Sequence, residues 1–390
     1  MLISVAFVIL LGLILGKMAE KLNFPSLVGF LLTGIVLGPF CLDLLSPHFL
    51  VLSSDLREIA LIIILTRAGL SLDLKDLKKA GRPAILMCFF PATIEILATV
   101  LLAPYFLGLT FAESLLLGSI IAAVSPAVIV PRMLRLIHEG VGKRKNIPQI
   151  ILAGASVDDV FVLLLFTSFL GINQGEQFTA NVLGEIPIAI LLGLVIGTIA
   201  GWMLTLLFTV VHLRDSIKVL IIMSISFLLM SIEGYFEGIL PFSGMLSIIS
   251  LSLTIHQLKH PVAERLSNKF NKLWVAAEIF LFVLVGTSVN LNFTFNAGFS
   301  PIIFIIFVTI LRMGGVYSVF IGTDLTKKER LFCMVSYIPK ATVQAAIGGI
   351  PFALGISNGE MMLTVAVISI IITAPVGAFL IDSLYKKTLE

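Results

Sequence analysis

The stretch NIPQIILAGASVDDVFVLLLFTSFLGI, residues 146–172, decides the fold. Its only charges are Asp158 and Asp159, which sit side by side in the middle of an apolar run. At about 1.5 Å per residue such a helix is roughly 40 Å long, enough to cross a bilayer core of ~30 Å. The aspartates then lie about twelve residues in, roughly 18 Å deep and close to the midplane. An ionisable group there costs about 2.5–3.5 kcal/mol even on lenient scales, so it marks a functional site by default. The plainer alternative is an ion pair that only holds helices together. Two adjacent carboxylates would need more than one cation for that.

The rest of the chain is of the same kind. Of 390 residues, 58% are hydrophobic and 13% charged, and mean hydropathy is +1.10. A soluble domain carries about 25% charged residues, so these are too few to cover a globular surface. Apolar runs and polar breaks predict thirteen spans, near 1–22, 26–41, 55–72, 82–107, 111–137, 146–172, 184–211, 215–233, 237–257, 268–289, 299–321, 327–350 and 358–386. Residues 1–15 lack a positive leading region, so they read as a retained helix and not as a signal peptide. In lipid a helix satisfies its own backbone, hence an all-α fold.

Lys and Arg test the count. With thirteen spans, 22 of the 26 fall on one side, from Lys17 and Lys21 to Lys386 and Lys387. Arg57 alone falls on the other, and Arg67, Arg312 and Lys340 lie within spans. Positive loops face the cytoplasm, so the N-terminus is expected outside and the C-terminus inside.

The two halves resemble each other. Glu58-Ile59-Ala60-Leu61 opens a span that ends Ser71-Leu72-Asp73-Leu74. Glu278-Ile279-Phe280-Leu281 opens one that ends Asn290-Leu291-Asn292-Phe293. Gly29 follows Pro25 as Gly244 follows Pro241, and Ser125-Pro126-Ala127-Val128-Ile129-Val130 is similar to Pro339-Lys340-Ala341-Thr342-Val343-Gln344. The matches keep their order at an offset of roughly 215 residues, relating spans 1–6 to spans 8–13. An offset of seven spans inverts the second copy. Inverted repeats with broken helices at the midplane characterise secondary transporters. Pro126, Pro131 and Pro339 disfavour continuous helix in spans 5 and 12, which are expected to be unwound and crossed there. A simple kink is the alternative.

Further charges lie at depth: Glu95 in span 4, Arg312 in span 11 and Lys340 in span 12. Each is either part of the working site or a structural ion pair, and Lys340 can also offset half-helix dipoles. Arg67, near a span end, reads more readily as structural. Adjacent helical residues point about 100° apart, so Asp158 can face a salt-bridge partner while Asp159 faces a cavity. A carboxylate poised between burial and a nearby Arg can hold a proton or a cation, but not both well, which suffices for exchange. Small hard cations want oxygen ligands. Ser156, three residues before Asp159, and Ser125, Thr342 and unwound carbonyls are candidates. Cys41, Cys88 and Cys333 have no metal or disulfide spacing, and no cofactor is expected.

With these residues assembled, the chain resembles the cation/proton antiporter superfamily over essentially its whole length. It is most similar to the branch with two adjacent aspartates, that of the NhaA- and NapA-type sodium/proton antiporters. Arg67-Ala68-Gly69-Leu70, Ser125-Pro126-Ala127-Val128, Asp158-Asp159 and Pro339-Lys340-Ala341-Thr342-Val343-Gln344-Ala345-Ala346 resemble the subgroup of animal mitochondrial and plasma-membrane sodium/proton exchangers. The resemblance implies that Asp159 binds the ion, that Asp158 lies near Arg312, and that Glu95 pairs with Arg312. Many members carry Lys where this chain has Arg312. Arg stays protonated, so it is a poor carrier of a second proton. The resemblance further implies a homodimer in the cell membrane with no nucleic-acid partner. A core part, 82–172 and 299–386, would move elevator-like against a dimerisation part, 1–72 and 184–289.

The expected function is Na⁺(Li⁺)/H⁺ antiport, not enzymatic, with K⁺ as the nearest rival ion. A sodium-coupled organic-anion symporter on this architecture would want more polar and aromatic lining. A channel would need a continuous polar path. A membrane enzyme finds no support, since His48, His138, His212, His256 and His260 lie near span ends without metal or nucleophile spacing.

Overall fold

The computed structural model describes residues 1–22, 24–71, 81–173, 180–235 and 242–389, and among them the regular elements are helices without a strand. Each expected span has a helical counterpart. These are α1 (Leu2–Lys21), α2 (Ser26–Leu37), α4 (Ser53–Ser71), α5 and α6 (Gly81–Met87, Phe90–Leu107), α7 and α8 (Phe111–Ala122, Pro126–Glu139) and α9 (Ile147–Asn173). There follow α10 (Ala180–Val210), α11 (Asp215–Tyr235), α12 (Gly244–Leu258), α13 (His260–Thr287), α15 (Ser300–Val319), α16 to α18 (Lys327–Ser336, Thr342–Ile347, Ile350–Ala353) and α19 (Gly359–Leu389). Nine stretches among the described residues are long and apolar enough to cross a membrane. The expectations for 72–74, Lys75, Lys78, Lys79 and Pro241 lie outside the described residues.

Some boundaries differ from the sequence reading for physical reasons. Two short loop helices, α3 (Pro47–Val51) and α14 (Leu291–Asn296), have too few residues to show a period. Helix α13 starts eight residues before the expected 268, at His260, with Pro261 in the first turn, where its missing N–H costs nothing. There Glu264, Arg265, Asn268 and Lys269 are exposed while Ala263, Leu266 and Phe270 are buried. The helix outlasts its apolar run because one face remains covered.

The chain forms two compact units, Met1–Ser53 with Lys75–Val162 and Ile279–Glu390, and Ser54–Leu74 with Leu163–Glu278. In the first, α6 packs on both α7 and α15, and α16 packs on α19. Helix α2 meets the end of α13 at Gly34 and Gly286, where a Cβ on Gly34 would come within 1.9 Å of the Val283 carbonyl oxygen. Lipid gives apolar side chains no reason to leave it, so close backbone approach at small residues supplies the packing. In the second unit α10 lies on α12. The Ser247 hydroxyl donates to the Gly193 carbonyl at 3.0 Å and the Ser250 hydroxyl to that of Leu194 at 2.8 Å. Arg67 and Glu278 interact electrostatically there.

Candidate functional site: a charge network at two broken helices

Helix α7 stops at Ala122 and α8 begins at Pro126; between them the chain is extended, with ψ 139° at Ala123 and 110° at Ser125. The second break separates α16, ending at Ser336, from α17, beginning at Thr342. The two breaks touch: the Ser125 N–H donates to the Pro339 carbonyl at 2.8 Å. Pro126 and Pro339 account for the two interruptions, since proline lacks a donor and crowds the preceding turn, whereas Pro131, also expected to interrupt span 5, lies within the continuous helix α8.

An interrupted helix exposes orphan carbonyls at one end and orphan N–H groups at the other. Here side chains meet them by sign. At the carbonyl end of α7, Lys340 Nζ donates to Ile121 O at 2.5 Å, Arg312 Nη1 to Ala122 O, and Gln344 Nε2 to Ala123 O at 2.8 Å. That end carries the negative pole of the helix dipole, which two cations oppose. On the other side of the break, the Val124 N–H donates to Asp158 Oδ2 at 2.9 Å.

The same side chains bind one another. Glu95 lies between Arg312 Nη1 and Lys340 Nζ, each 2.5 Å from one of its carboxylate oxygens. Arg312 Nη2 reaches Asp158 Oδ2 at 3.1 Å. All four groups are almost wholly removed from solvent. Two carboxylates and two cations make a network of zero net charge. Desolvating four ions is expensive, and only close pairing with hydrogen bonds to the remaining atoms makes it tolerable.

Asp159 stands apart. It is buried, yet it forms no ion pair among the described residues, and its Oδ1 has no hydrogen-bond partner. Further buried side-chain oxygens without a partner include Ser125 Oγ, Thr342 Oγ1, Gln344 Oε1 and Asp158 Oδ1. Ser125 is the N-cap residue of α8, yet its hydroxyl makes no capping bond, and Thr342 is the first residue of α17, its hydroxyl likewise without a partner. Oxygen atoms of this kind are what a hard monovalent cation requires. The Ser156 side chain lies outside the described residues. The structure thus joins Glu95, Asp158, Arg312 and Lys340 by direct contact. Asp159, Ser125 and Thr342 are buried with oxygens unspent.

Three participants escaped the sequence reading. Gln344 holds the carbonyl of Ala123, the residue that follows α7, and its place four residues after Lys340 in an already conspicuous stretch was the available signal. Thr373 accepts the Lys340 backbone N–H at 3.0 Å. Tyr337, fully buried, lays its ring 5.5 Å from the Arg312 guanidinium carbon. Gly154, one turn before Asp158, makes room for that ring: a Cβ would fall 2.1 Å from the Tyr337 hydroxyl and 2.7 Å from Met87 Cβ. Gly154→Ala is therefore expected to lower stability by about 1–3 kcal/mol, the usual cost of overpacking. Adding Tyr337→Phe, which deletes the nearest clashing atom, should restore part of it. Thermal melts of the two single variants and the double variant in detergent check the coupling, and additivity would refute the contact.

Comparison with known proteins places this geometry in context. The family model described as sodium/hydrogen exchanger, transmembrane, matches residues 5–387. Human sodium/hydrogen exchanger 9B2 is 32% identical over 397 residues, covering 98% of this chain and 72% of that protein. Human sodium/hydrogen exchanger 9B1 is 29% identical, covering 94% and 72%. Among solved structures, the sodium proton antiporter MjNhaP1 of Methanocaldococcus jannaschii shares the fold with a TM-score of 0.86 at 19% identity, covering 99% of this chain and 97% of its own.

Proposed function

The chain belongs to the sodium/hydrogen exchanger transmembrane family, and from that premise we propose that it exchanges a monovalent cation for protons, with Asp159 as the residue that carries each in turn. It is a multi-pass membrane protein and a secondary-active cation/proton antiporter. The observation that carries the site assignment is the contrast between the two aspartates. Each leaves Oδ1 without a partner, but Asp158 is engaged through Oδ2 by Arg312 and the Val124 N–H, while Asp159 forms no ion pair among the described residues. Ser125, Thr342 and Ser156 are the neighbouring oxygen donors in this reading, and Na⁺ or Li⁺ is the preferred cargo, ahead of K⁺.

The finer reading follows the sequence. The 32% identity to human sodium/hydrogen exchanger 9B2 supports placement near the animal exchangers. The chain is an inverted repeat with the N-terminus outside and the C-terminus in the cytoplasm. It works as a homodimer in the cell membrane. The core part, 82–172 and 299–386, moves against a dimerisation part, 1–72 and 184–289, to give alternating access.

The charge balance also bears on stoichiometry. Glu95 and Asp158 are already offset by Arg312 and Lys340, so Asp159 is left as the single carboxylate to neutralise. One cation then replaces one proton, and exchange is electroneutral. Proteoliposomes carrying a pH gradient test this when Na⁺, Li⁺ and K⁺ are added in turn, with and without a K⁺/valinomycin voltage clamp. Dequenching by Na⁺ and Li⁺ with no response to the clamp is expected. A rate that follows the imposed voltage would overturn the one-for-one reading, and a response to K⁺ alone the choice of ion.

A further inference from the structure

We infer that His256 and His260, at the corner between α12 and α13, form a two-imidazole site for a divalent transition-metal ion. The reasoning begins with the corner. Helix α12 ends at Leu258, Lys259 turns the chain with φ −140° and ψ 61°, and α13 begins at His260. Four residues of separation across this turn bring the two imidazoles together, with ring centroids 4.8 Å apart and planes inclined at 68°.

The protonation pattern of His256 suits a ligand. Its Nδ1 lies 2.7 Å from the Leu70 carbonyl oxygen. A carbonyl only accepts, so Nδ1 carries a proton, and in the neutral ring Nε2 is then the nitrogen with the lone pair. That Nε2 has no partner, although the residue is only 7% exposed. A ring N–H donated to a backbone carbonyl is the outer-shell arrangement that fixes metal-binding histidines. His260 is exposed, so the site opens to solvent through it.

The ring separation fits a shared ion. A metal sits about 2.0–2.1 Å from an imidazole nitrogen, and the ring centre lies roughly 1.1 Å behind that nitrogen. Two such ligands at about 90–109° around one ion place their ring centres roughly 4.5–5.2 Å apart. The observed 4.8 Å falls within that interval. No third His, Cys, Asp or Glu joins the pair among the described residues. Water completes the coordination, and imidazole nitrogen selects copper, zinc or nickel over sodium, calcium or magnesium. A bound ion would tie the last turn of α12 to the first of α13 and fix the angle of the corner.

The test uses the full chain, purified without a histidine tag and titrated with Cu²⁺, Ni²⁺ and Zn²⁺ in detergent. We expect one saturable Cu²⁺ per chain, with an electron paramagnetic resonance spectrum showing two imidazole nitrogens. Cu²⁺ should bind more tightly than Ni²⁺ or Zn²⁺, and each metal should raise the melting temperature. His260→Gln should weaken binding by at least about tenfold. His256→Gln should do the same while its side-chain amide still donates to Leu70. His138→Gln and His212→Gln serve as controls and should change nothing. Binding untouched by His260→Gln, a one-nitrogen spectrum, or no saturable binding would each overturn the site. His260 is exposed, so the test stands even where His256→Gln folds poorly.

Discussion

Asp159→Asn is expected to abolish cation-dependent proton movement in proteoliposomes and to leave the melting temperature unchanged. The side chain keeps its shape but loses the ability to be either a carboxylate or a protonated acid. A cation then meets one neutral amide oxygen where it needs a charge, and no proton is displaced by its arrival. The fold is untouched because Asp159 takes no part in the network of Glu95, Asp158, Arg312 and Lys340. Asp158→Asn provides the contrast. It removes the partner of Arg312 Nη2 and of the Val124 N–H, so its first effect should be on stability, with transport impaired less. Full exchange by Asp159→Asn would remove the proposed site. A larger transport loss in Asp158→Asn than in Asp159→Asn would exchange the two roles.

Arg312→Ala has the second large expected effect, on stability. One side chain bridges Glu95 and Asp158, meets the Ala122 carbonyl and stacks on Tyr337. Its removal leaves Asp158 in the interior without a cation and Glu95 with Lys340 alone. Breaking a buried ion pair from one side costs about 3–5 kcal/mol, because the partner stays charged and desolvated. The melting temperature in detergent should fall by roughly 5–10 °C. Arg312→Lys should fall between the two, since an ammonium keeps the charge but lacks the planar fork that spans both carboxylates. Unchanged melting of Arg312→Ala would show that the network contributes little to the fold.

Much of the architecture could be read from the chain because lipid imposes so simple a demand. An apolar run must become a helix, and a charge within one stands out. That exposed Glu95, Asp158, Asp159, Arg312 and Lys340, and the prolines at 126 and 339 located both breaks. The resemblance implied that Arg312 meets Asp158 and Glu95, but the other partners could not be read. Nothing in the order of residues says that Lys340 meets Glu95, 245 positions away, as well as the end of α7. Nor do the carbonyls of Ile121, Ala122 and Ala123 announce themselves, since every residue carries one. Tyr337 looked like any buried aromatic, and Gly154 like any small residue, until their contact with each other and with Arg312 was seen. His256 and His260 were set aside for lying near span ends, and only the turn at Lys259 makes them neighbours.

The charge network has a consequence for how the protein is made. Glu95 and Asp158 are synthesised first, and both cations come later, Arg312 standing 154 positions after Asp158. At about 5–20 residues per second the ribosome needs roughly 8–30 s to cover that distance. For this interval the two acids lack the bases they pair with in the folded protein. Their pairing waits until α15 and the segment after α16 bring Arg312 and Lys340. Assembly of this network is then a timed event, in which Arg312 and Lys340, late in the polypeptide, secure acids made long before them.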